Sequence, residues 1–398
     1  MINISMTSCI LPWINFGTNT FGRARVCGYS NCKSDTKLKD SSISVEWNND
    51  YFKSIRQSFI KGEWPENCTR CKYVEEMGGS SKRMAENLMW EKEYSHLKSK
   101  TNNDGSVDYV PPHIDIRTGT ICNLKCIHCG TGASSKWSED TQLLNKYPNT
   151  EIYSINNQWI EKDTKFWEEL TNSANQIVRY NFLGGESFAN KRHNEFIAWL
   201  ADSNFAKNVS VSYVSNGTLI STRILTQLSK FKSVKITISI DATGDVAEYF
   251  RYLLKWEEFV NKLSVLQQFI TGRDNFDVGF QWTASNISMF YLVETYHELR
   301  TRFPGIKFIF CNHVTDPIHM SPQNLPTELK QIIVDKINAY KFIESDYEYI
   351  PFYISHMLQE DLWKDYQVMF MQYLNDLNIA RNIKWQYSFK EMTLEKYE

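Results

Sequence analysis

The sequence predicts an α/β protein built around an open or partial barrel of six βα units. Short β-branched or aromatic runs alternate with amphipathic stretches over residues 113–315, a pattern typical of parallel strands joined by helices. Six such units within about 200 residues are too few for a closed eightfold barrel and suit a partial (β/α)6 barrel of the TIM type. Linker-like stretches at residues 101–112 and 316–326 predict three segments, 1–112, 113–315 and 316–398.

Each predicted strand is followed by a helical or turn-forming stretch. The strands run, in chain order, over His113–Thr118, Ile177–Leu183, Val209–Ser215, Val234–Ile240, Phe276–Thr283 and Ile306–Cys311. The clearest helical pattern extends from Tyr249 to Ile270, where apolar residues recur every three or four positions. The aromatic C-terminal segment predicts helices that cap the barrel mouth, with most of their aromatic side chains in the core. Barrel enzymes place their chemistry at the carboxyl ends of the strands, so the residues after each strand are the candidate site residues.

The overall charge of the chain narrows the choice of partners. It has 44 Lys and Arg residues against 46 Asp and Glu residues, a formal net charge of −2, so it lacks the positive field that holds a duplex nucleic acid. Its apolar runs are far shorter than the roughly 20 residues of a membrane helix, and residues 1–16 lack a basic signal-like stretch. We therefore expect a cytoplasmic protein that binds neither membranes nor duplex nucleic acid.

The nine cysteines are the most informative residues. An odd number, clustered at short spacings, favours thiolate metal ligands over disulfides. Cys122, Cys126 and Cys129 follow the first strand in a C-x3-C-x2-C motif. Three thiolates this close can hold three corners of an iron–sulfur cube and leave the fourth iron open to a substrate or cofactor. A structural zinc site, completed by His128 or by a distant cysteine, is the alternative.

The second and third strands end in elements that can approach a ligand closely. Gly184 and Gly185 remove side chains from the backbone, and Glu186 can accept hydrogen bonds from an ammonium group. Asn216 lies in the Ser-Asn-Gly-Thr turn after the third strand, where a plain Asn-Gly turn is an equally good interpretation. Their position at strand ends makes these residues candidates for a site.

The fourth strand ends in a hydroxyl and a carboxylate that share one face. Ser239 and Asp241 alternate along the strand, so both side chains can point into the barrel mouth. Arg251 follows ten positions after Asp241, and a solvated helix arginine is the alternative interpretation of that residue. These three residues complete the candidate site of the central segment.

Together the cysteine triplet and these strand ends resemble the signature of the radical S-adenosylmethionine (SAM) superfamily, over about residues 5–315. The resemblance implies that the triplet binds a [4Fe–4S] cluster whose open iron takes the amine and carboxylate of SAM. It also implies SAM contacts from Gly184, Gly185 and Glu186 at the amine, from Asn216 in the third turn, from Ser239 and Asp241 near the ribose and substrate, and from Arg251 at the carboxylate. Two positions depart from the family pattern, Ser215 in place of threonine and Ala242 in place of glycine.

The resemblance also implies an activity. Such an enzyme cleaves SAM reductively to a 5′-deoxyadenosyl radical, which abstracts hydrogen from a peptide, a protein or a small molecule, and an electron donor such as flavodoxin or ferredoxin supplies the electron. Modification of a nucleoside or nucleotide, as in a hypermodified base, is an alternative target. A non-enzymatic zinc-binding module is the alternative class of protein.

Four further cysteines form a second pattern near the N-terminus. Cys9, Cys27, Cys68 and Cys71 fit C-x12-G-x4-C followed later by C-x2-C. This layout resembles the twitch half of the SPASM/twitch accessory domain, which implies an auxiliary [4Fe–4S] cluster with four thiolate ligands. The accessory domain usually follows the barrel, whereas here it precedes it. A stretch from Gly62 through Glu75, Gly79, Ser81 and Arg83 recurs in radical SAM proteins with this arrangement.

Three alternatives for the cysteines stay open. A zinc ribbon would use the same four N-terminal cysteines. Cys32, five residues beyond Cys27, can substitute as a ligand. Cys311 is otherwise expected to be a buried small apolar residue, as is Cys32 if it binds nothing.

Overall fold

The computed structural model describes most of the chain. The described residues are 7–30, 34–66, 68–76, 80–140, 143, 146, 158–162 and 164–397. Cys32 and Gly79, which the sequence singled out, lie outside these residues, as does the side chain of Cys311.

Eight strands form one mixed, mostly parallel sheet in the order β2-β1-β3-β4-β5-β6-β7-β8. The strands are β1 (Asn15–Thr18), β2 (Ala24–Arg25), β3 (His113–Arg117), β4 (Arg179–Leu183), β5 (Ser210–Ser215), β6 (Ser233–Ile240), β7 (Phe276–Ala284) and β8 (Lys307–His313). β2 is antiparallel to β1, whereas the β1–β3, β3–β4, β4–β5 and β7–β8 pairs are parallel. All six predicted strands are present, each within two residues of its predicted ends.

Helices separate the strands and make up the C-terminal segment. Before β3 they are α1 (Leu11–Ile14), α2 (Ile43–Glu46), α3 (Asp50–Ile60), α4 (Thr69–Glu76), α5 (Lys82–Met89) and α6 (Glu91–Ser99). Between β3 and β8 they are α7 (Trp159–Lys162), α8 (Thr164–Asn172), α9 (Lys191–Asp202), α10 (Thr222–Leu228), α11 (Gly244–Phe250), α12 (Trp256–Ile270), α13 (Asn286–Phe290) and α14 (Leu292–Arg302). After β8 they are α15 (Thr327–Ala339), α16 (Glu344–Tyr347), α17 (Ile350–Gln359), α18 (Trp363–Arg381) and α19 (Trp385–Ser388). None of the described helices combines the length and the apolar character that crossing a membrane requires.

The chain divides into two compact units, each assembled from separate stretches. The first unit comprises Met1–Gly119, Asn156–Tyr213 and Lys230–Val234, and the second comprises Thr120–Ile155, Val214–Ser229 and Lys235–Glu398. The three segments inferred from the linkers remain a prediction about folding domains.

The first unit packs its N-terminal helices against β1 through a cluster of aromatic rings. Phe16 stacks on Phe52 at 5.8 Å between ring centroids and meets Trp47 edge-on at 6.3 Å. The buried guanidinium of Arg56 lies 4.4 Å from the Trp47 ring and donates hydrogen bonds to the carbonyls of Pro12, Trp47 and Gly105. The predicted linker 101–112 is irregular, but these bonds and others fix it to the helices.

The second unit differs from the sequence prediction in one helix. The single helix predicted over Tyr249–Ile270 is two helices, α11 and α12, because Leu253 takes a left-handed backbone conformation with φ of 80°. The carbonyl of Phe250 accepts a hydrogen bond from the N–H of Ile127 (2.9 Å), and that of Tyr252 accepts one from Lys125 (3.2 Å). The helix is therefore interrupted where its carbonyls hold the loop that carries the cysteine triplet.

Candidate functional site

The cysteine triplet lies in the loop 120–140 of the second unit, which is anchored through its own backbone. Cys126 is buried, and Cys122 and Cys129 are half-buried. The carbonyl of Cys126 accepts hydrogen bonds from the N–H of Cys129 (3.0 Å) and from the indole of Trp137 (3.0 Å). The loop thus holds the three thiols together and leaves two of them partly accessible.

The Cys126 and Cys129 thiols are close enough to form a hydrogen bond. That bond lowers the pKa of Cys126 against the opposing effect of burial, and it raises the pKa of Cys129 together with burial. The Arg251 guanidinium stabilises the charged form of both thiols. A buried cation therefore lies beside two thiols that hydrogen-bond to each other.

Two of the predicted site residues, Arg251 and Asp241, form an ion pair. Nη2 of Arg251 lies 2.7 Å from Oδ2 of Asp241, and both side chains are more than nine-tenths buried. Burial opposes the charge of Arg251, but Asp241 and the two thiols hold its pKa above the ordinary value. Nε of Arg251 has no hydrogen-bond partner among the described residues, so the guanidinium can donate to a second oxyanion. Ser239 lies half-buried on the same β6 strand.

The Asn216 turn also lies against the triplet. Nδ2 of Asn216 is 3.8 Å from Sγ of Cys122 and donates to Oδ1 of Asn123 at 2.9 Å. Asn123 in turn donates to Oγ1 of Thr218 at 2.8 Å. Gly217 has a φ of 77°, and a Cβ there would lie 2.9 Å from the Phe259 ring, so only glycine fits this turn. The turn fixes one side of the cysteine loop.

A network of buried charges, formed by Arg381 of the C-terminal helix α18 with two residues of the loop, holds the other side of the loop. Nζ of Lys125 lies 2.8 Å from Oδ1 of Asp140, and Nε of Arg381 lies 3.0 Å from Oδ2 of the same carboxylate. The side chains of all three residues are more than nine-tenths buried. The Tyr373 hydroxyl donates to the carbonyl of Ile127, next to the second cysteine. Sequence reasoning missed Asp140, Tyr373 and Arg381, because no spacing relates them to the triplet.

His128, the proposed fourth ligand of a zinc site, is buried against an aromatic ring. Its ring centroid lies 5.1 Å from that of Phe250, and burial lowers its pKa. Within the described part of the chain, no three His, Cys, Asp or Glu side chains are grouped to hold a single metal ion.

The Gly184–Glu186 element belongs to the first unit. Gly184 has a φ of 87°, and a Cβ there would lie 3.0 Å from the carbonyl oxygen of Gly119, so this position requires glycine. Glu186 is fully buried, and its carboxylate accepts a hydrogen bond from the N–H of Phe188 at 3.2 Å. The Glu186 side chain thus caps the turn that follows β4.

The four N-terminal cysteines line one small cavity of the first unit. Cys9, Cys27, Cys68 and Cys71 surround it together with the side chains of Lys82 and Arg83. Burial and the neighbouring thiols raise the pKa of Cys9, and they raise that of Cys68 to about 12. Burial also raises the pKa of Cys27, although Lys82 opposes it. The structure therefore gathers thiols that the sequence spreads over three separate stretches.

Helix α5 braces this cavity from one side. Nε of Arg83 donates to Oε1 of Glu75 at 2.9 Å, and its other nitrogens contact the same carboxylate and the carbonyl of Ser8. Nδ2 of Asn87 donates to the same Ser8 carbonyl at 2.8 Å, and Oδ1 of Asn87 accepts from the N–H of Ile10 at 2.8 Å. Arg83 and Asn87 thus hold the backbone on both sides of Cys9. Glu75 and Ser81, which the sequence singled out together with Arg83, hydrogen-bond to each other, and Glu75 also holds Arg83 in place.

Both sites suit iron–sulfur clusters by the chemistry of their donors. Four thiols around one cavity match the four ligands of a [4Fe–4S] cube, and Lys82 and Arg83 offset the negative charge that such a cluster carries. Three thiols beside Arg251 match a cube with one iron left for another ligand.

Comparisons with known proteins give distant similarities. No protein-family model matches the chain, and no curated protein matches it. SuiB from Streptococcus suis bound to S-adenosylmethionine is 15% identical over 84% of this chain and 70% of that chain, with a TM-score of 0.37. SuiB bound to the precursor peptide SuiA is 15% identical over 83% and 70%, with a TM-score of 0.34. TYW1 with a lysine-pyruvate adduct is 16% identical over 57% and 74%, with a TM-score of 0.28. Likenesses this low carry no argument, so the function rests on the chain's own residues.

Proposed function

We propose that this protein is a radical SAM enzyme with an auxiliary iron–sulfur cluster. The observation that carries the proposal is the anchored loop in which three thiols lie beside the buried Arg251–Asp241 pair and the Asn216 turn. A structural site needs four protein ligands and no free guanidinium donor, whereas a catalytic one needs an open position and groups to orient what binds there.

When bound, a [4Fe–4S] cluster on Cys122, Cys126 and Cys129 supplies the electron that cleaves SAM to methionine and a 5′-deoxyadenosyl radical. Arg251 binds the SAM carboxylate through its free donor, and Asp241 fixes the orientation of the guanidinium. Asn216 positions Cys122 and the adjoining loop. Glu186 accepts the SAM amine, and Ser239 lies toward the ribose, as the family resemblance implies.

The remaining assignments follow from the same proposal. Cys9, Cys27, Cys68 and Cys71 hold the auxiliary cluster in a twitch-type N-terminal domain, with no iron left open, so its role is electron transfer or structural support. The central strands form a partial barrel around the substrate, and the radical abstracts hydrogen from a peptide, a protein or a small molecule. The enzyme works in the cytoplasm with an electron donor such as flavodoxin or ferredoxin.

Anaerobic purification and reconstitution test this proposal. We expect a brown protein with about eight irons per chain, from two clusters of four, which forms 5′-deoxyadenosine from SAM after reduction with dithionite. A colourless protein that carries zinc would instead support the binding module. Intact clusters that never yield 5′-deoxyadenosine would overturn the proposed chemistry.

A further inference from the structure

One face of the sheet in the first unit carries buried polar side chains. One face of β4 is apolar and packs Tyr180 and Phe182 against aromatic residues of α9. The other face of β1 and β3 carries Asn15, His113 and Asp115, which are more than nine-tenths buried although all three are polar. A buried polar face is costly unless its groups find partners, so it points to a ligand.

Two arginines converge at one end of this face. Arg117 is the last residue of β3, and Arg25 lies on β2, which pairs with the neighbouring β1. Nη2 of each arginine lies 3.8 Å from the point where a Cβ on Gly28 would stand, so the two nitrogens are within twice that distance of each other. Apart from Gly28 and its chain neighbours Cys27 and Tyr29, no other atom of the described residues lies within 4 Å of that point. Gly28 therefore leaves a small space between two guanidinium groups.

The polar atoms around this space lack the partners that their burial calls for. Nη2 of Arg25 and Oδ1 of Asp115 are buried and have no hydrogen-bond partner within the described parts of the chain. Burial and the proximity of Arg25 lower the pKa of Arg117, whereas Asp115 opposes that shift. Two cations against one carboxylate leave a net positive charge, which an anion would neutralise.

We propose that Arg25 and Arg117 bind an oxyanion of the substrate, a carboxylate or a phosphate, in the space that Gly28 leaves open. Asp115 accepts a hydrogen bond from a hydroxyl or ammonium group next to that oxyanion. The assignment rests on the proposed function in one respect, that the ligand is the substrate of the radical reaction. Arg25 and Gly28 flank Cys27, so the auxiliary cluster would fix the segment that recognises this substrate.

The Gly28→Ala variant tests the site with the least disturbance. Gly28 does not have a positive φ, and, beyond its chain neighbours, the added methyl would meet only the two guanidinium nitrogens among the described residues, each at 3.8 Å, so the variant should fold. The methyl would occupy the place of the oxyanion. Arg117→Gln removes one of the two donors, and Arg192→Gln removes an exposed arginine of α9 as the matched control.

The readout is the Tm of the reconstituted full-length protein in inorganic phosphate or acetate, against chloride at equal ionic strength. We expect either anion to raise the Tm of the native protein and of Arg192→Gln by on the order of a few °C. Neither anion should do so for Gly28→Ala or Arg117→Gln. The anion with the larger shift indicates whether the substrate presents a phosphate or a carboxylate. Equal shifts in all four proteins, or none in the native protein, would overturn the site.

A second measurement separates this site from the SAM site. SAM carries a carboxylate of its own, so equilibrium binding of SAM is measured for the native protein and for Gly28→Ala. Unchanged SAM affinity supports assignment of the oxyanion to the substrate, and a tenfold or greater loss would show that the arginines serve SAM instead. Anion binding does not require SAM cleavage, so a failure of the proposed chemistry would not be mistaken for a failure of this site.

Discussion

The two groups of cysteines are held in place by opposite means. The triplet is contiguous in the sequence, but its loop is fixed by residues far along the chain, above all Arg381 on α18. The four N-terminal cysteines are dispersed in the sequence, but their cavity is braced by Glu75 and Arg83, which lie close to Cys71. A compact motif therefore does not imply a self-sufficient site, and a dispersed one does not imply a loosely held site.

The difference matches the tasks that we propose for the two sites. A cluster with an open iron needs accessible space on one side. The cysteine loop therefore cannot surround the cluster completely, and residues elsewhere in the chain have to hold the loop in place. A cluster with four thiolates closes its own environment and needs a rigid frame.

Removal of one thiol from each site should have opposite consequences for SAM cleavage. We expect Cys126→Ala to abolish 5′-deoxyadenosine formation and to lose about half of the bound iron, because the catalytic cluster loses a ligand. Cys68→Ala should also lose about half of the iron, yet still cleave SAM. Iron analysis and product formation under dithionite measure both quantities.

Each of these two variants serves as the control for the other. If Cys68→Ala abolished SAM cleavage while its remaining iron stayed bound, the auxiliary site would have a direct part in activation of SAM. The two sites would then not be independent, and the contrast drawn above would be wrong.

Removal of the buried cation Arg381, which supports the cysteine loop, should have the largest effect on stability. Arg381→Met leaves one oxygen of the buried Asp140 carboxylate unpaired, so we expect the free energy of unfolding to fall by about 3–5 kcal/mol. The triplet should lose iron selectively, since Asp140 and Lys125 hold its loop. Urea unfolding and the electron paramagnetic resonance signals of the two reduced clusters measure these changes.

The matched control for that variant is Arg302→Gln. Arg302 forms an exposed ion pair with Glu298 at 2.9 Å on α14, and such pairs contribute about 0–1 kcal/mol. If Arg381→Met were as mild as this control, the network would not be what supports the cysteine loop.

A smaller effect is expected from the brace of the four-cysteine cavity. Burial opposes the charge of Glu75, but hydrogen bonds from Arg83 and Ser81 hold the pKa of Glu75 below its ordinary value. Glu75→Gln should weaken these bonds and destabilise the first unit by about 1–3 kcal/mol. We expect a chelator to remove iron from the auxiliary site faster than in the native protein, with the triplet unchanged.

The neighbouring pair Lys72 and Glu76 provides the comparison for Glu75→Gln. It is an exposed ion pair one turn apart on the same helix α4, so Lys72→Gln should leave the rate of iron release unchanged. Equal acceleration in both variants would mean that α4, and not the Glu75–Arg83 pair, sets the stability of the cavity.

The sequence predicts those features that depend on local pattern. The strands follow from their β-branched and aromatic runs, and the triplet follows from its spacing after β3. Asp241 and Arg251 are predicted as residues of one site from their positions at a strand end and after it, but the ion pair between them is not predicted. The interruption of the helix at Leu253 does not follow, since the apolar pattern runs through it and the cause lies in hydrogen bonds to a distant loop.

The missed parts of the site share one physical origin. Asp140, Tyr373 and Arg381 act through contacts across up to 246 positions of sequence, and no periodicity encodes a contact of that kind. The same holds for the space between Arg25 and Arg117, which exists because Gly28 lacks a side chain at the place where two strands bring their arginines together. Composition shows that these residues are present, but only the fold shows that they meet.

The smallest effect is expected from the hydroxyl of Tyr373. Tyr373→Phe keeps the buried ring and removes the hydrogen bond to the carbonyl of Ile127, so the expected loss in stability is about 1 kcal/mol. Tyr387→Phe is the control, because its hydroxyl belongs to a side chain that is 72% exposed. Urea unfolding measures the difference, and amide exchange at Ile127 and Cys129 should quicken in the first variant alone. If Tyr373→Phe lowered the free energy of unfolding as much as Arg381→Met does, hydrogen bonding and not the buried charge would be the main support of the triplet. The contrast between the two sites would then be wrong.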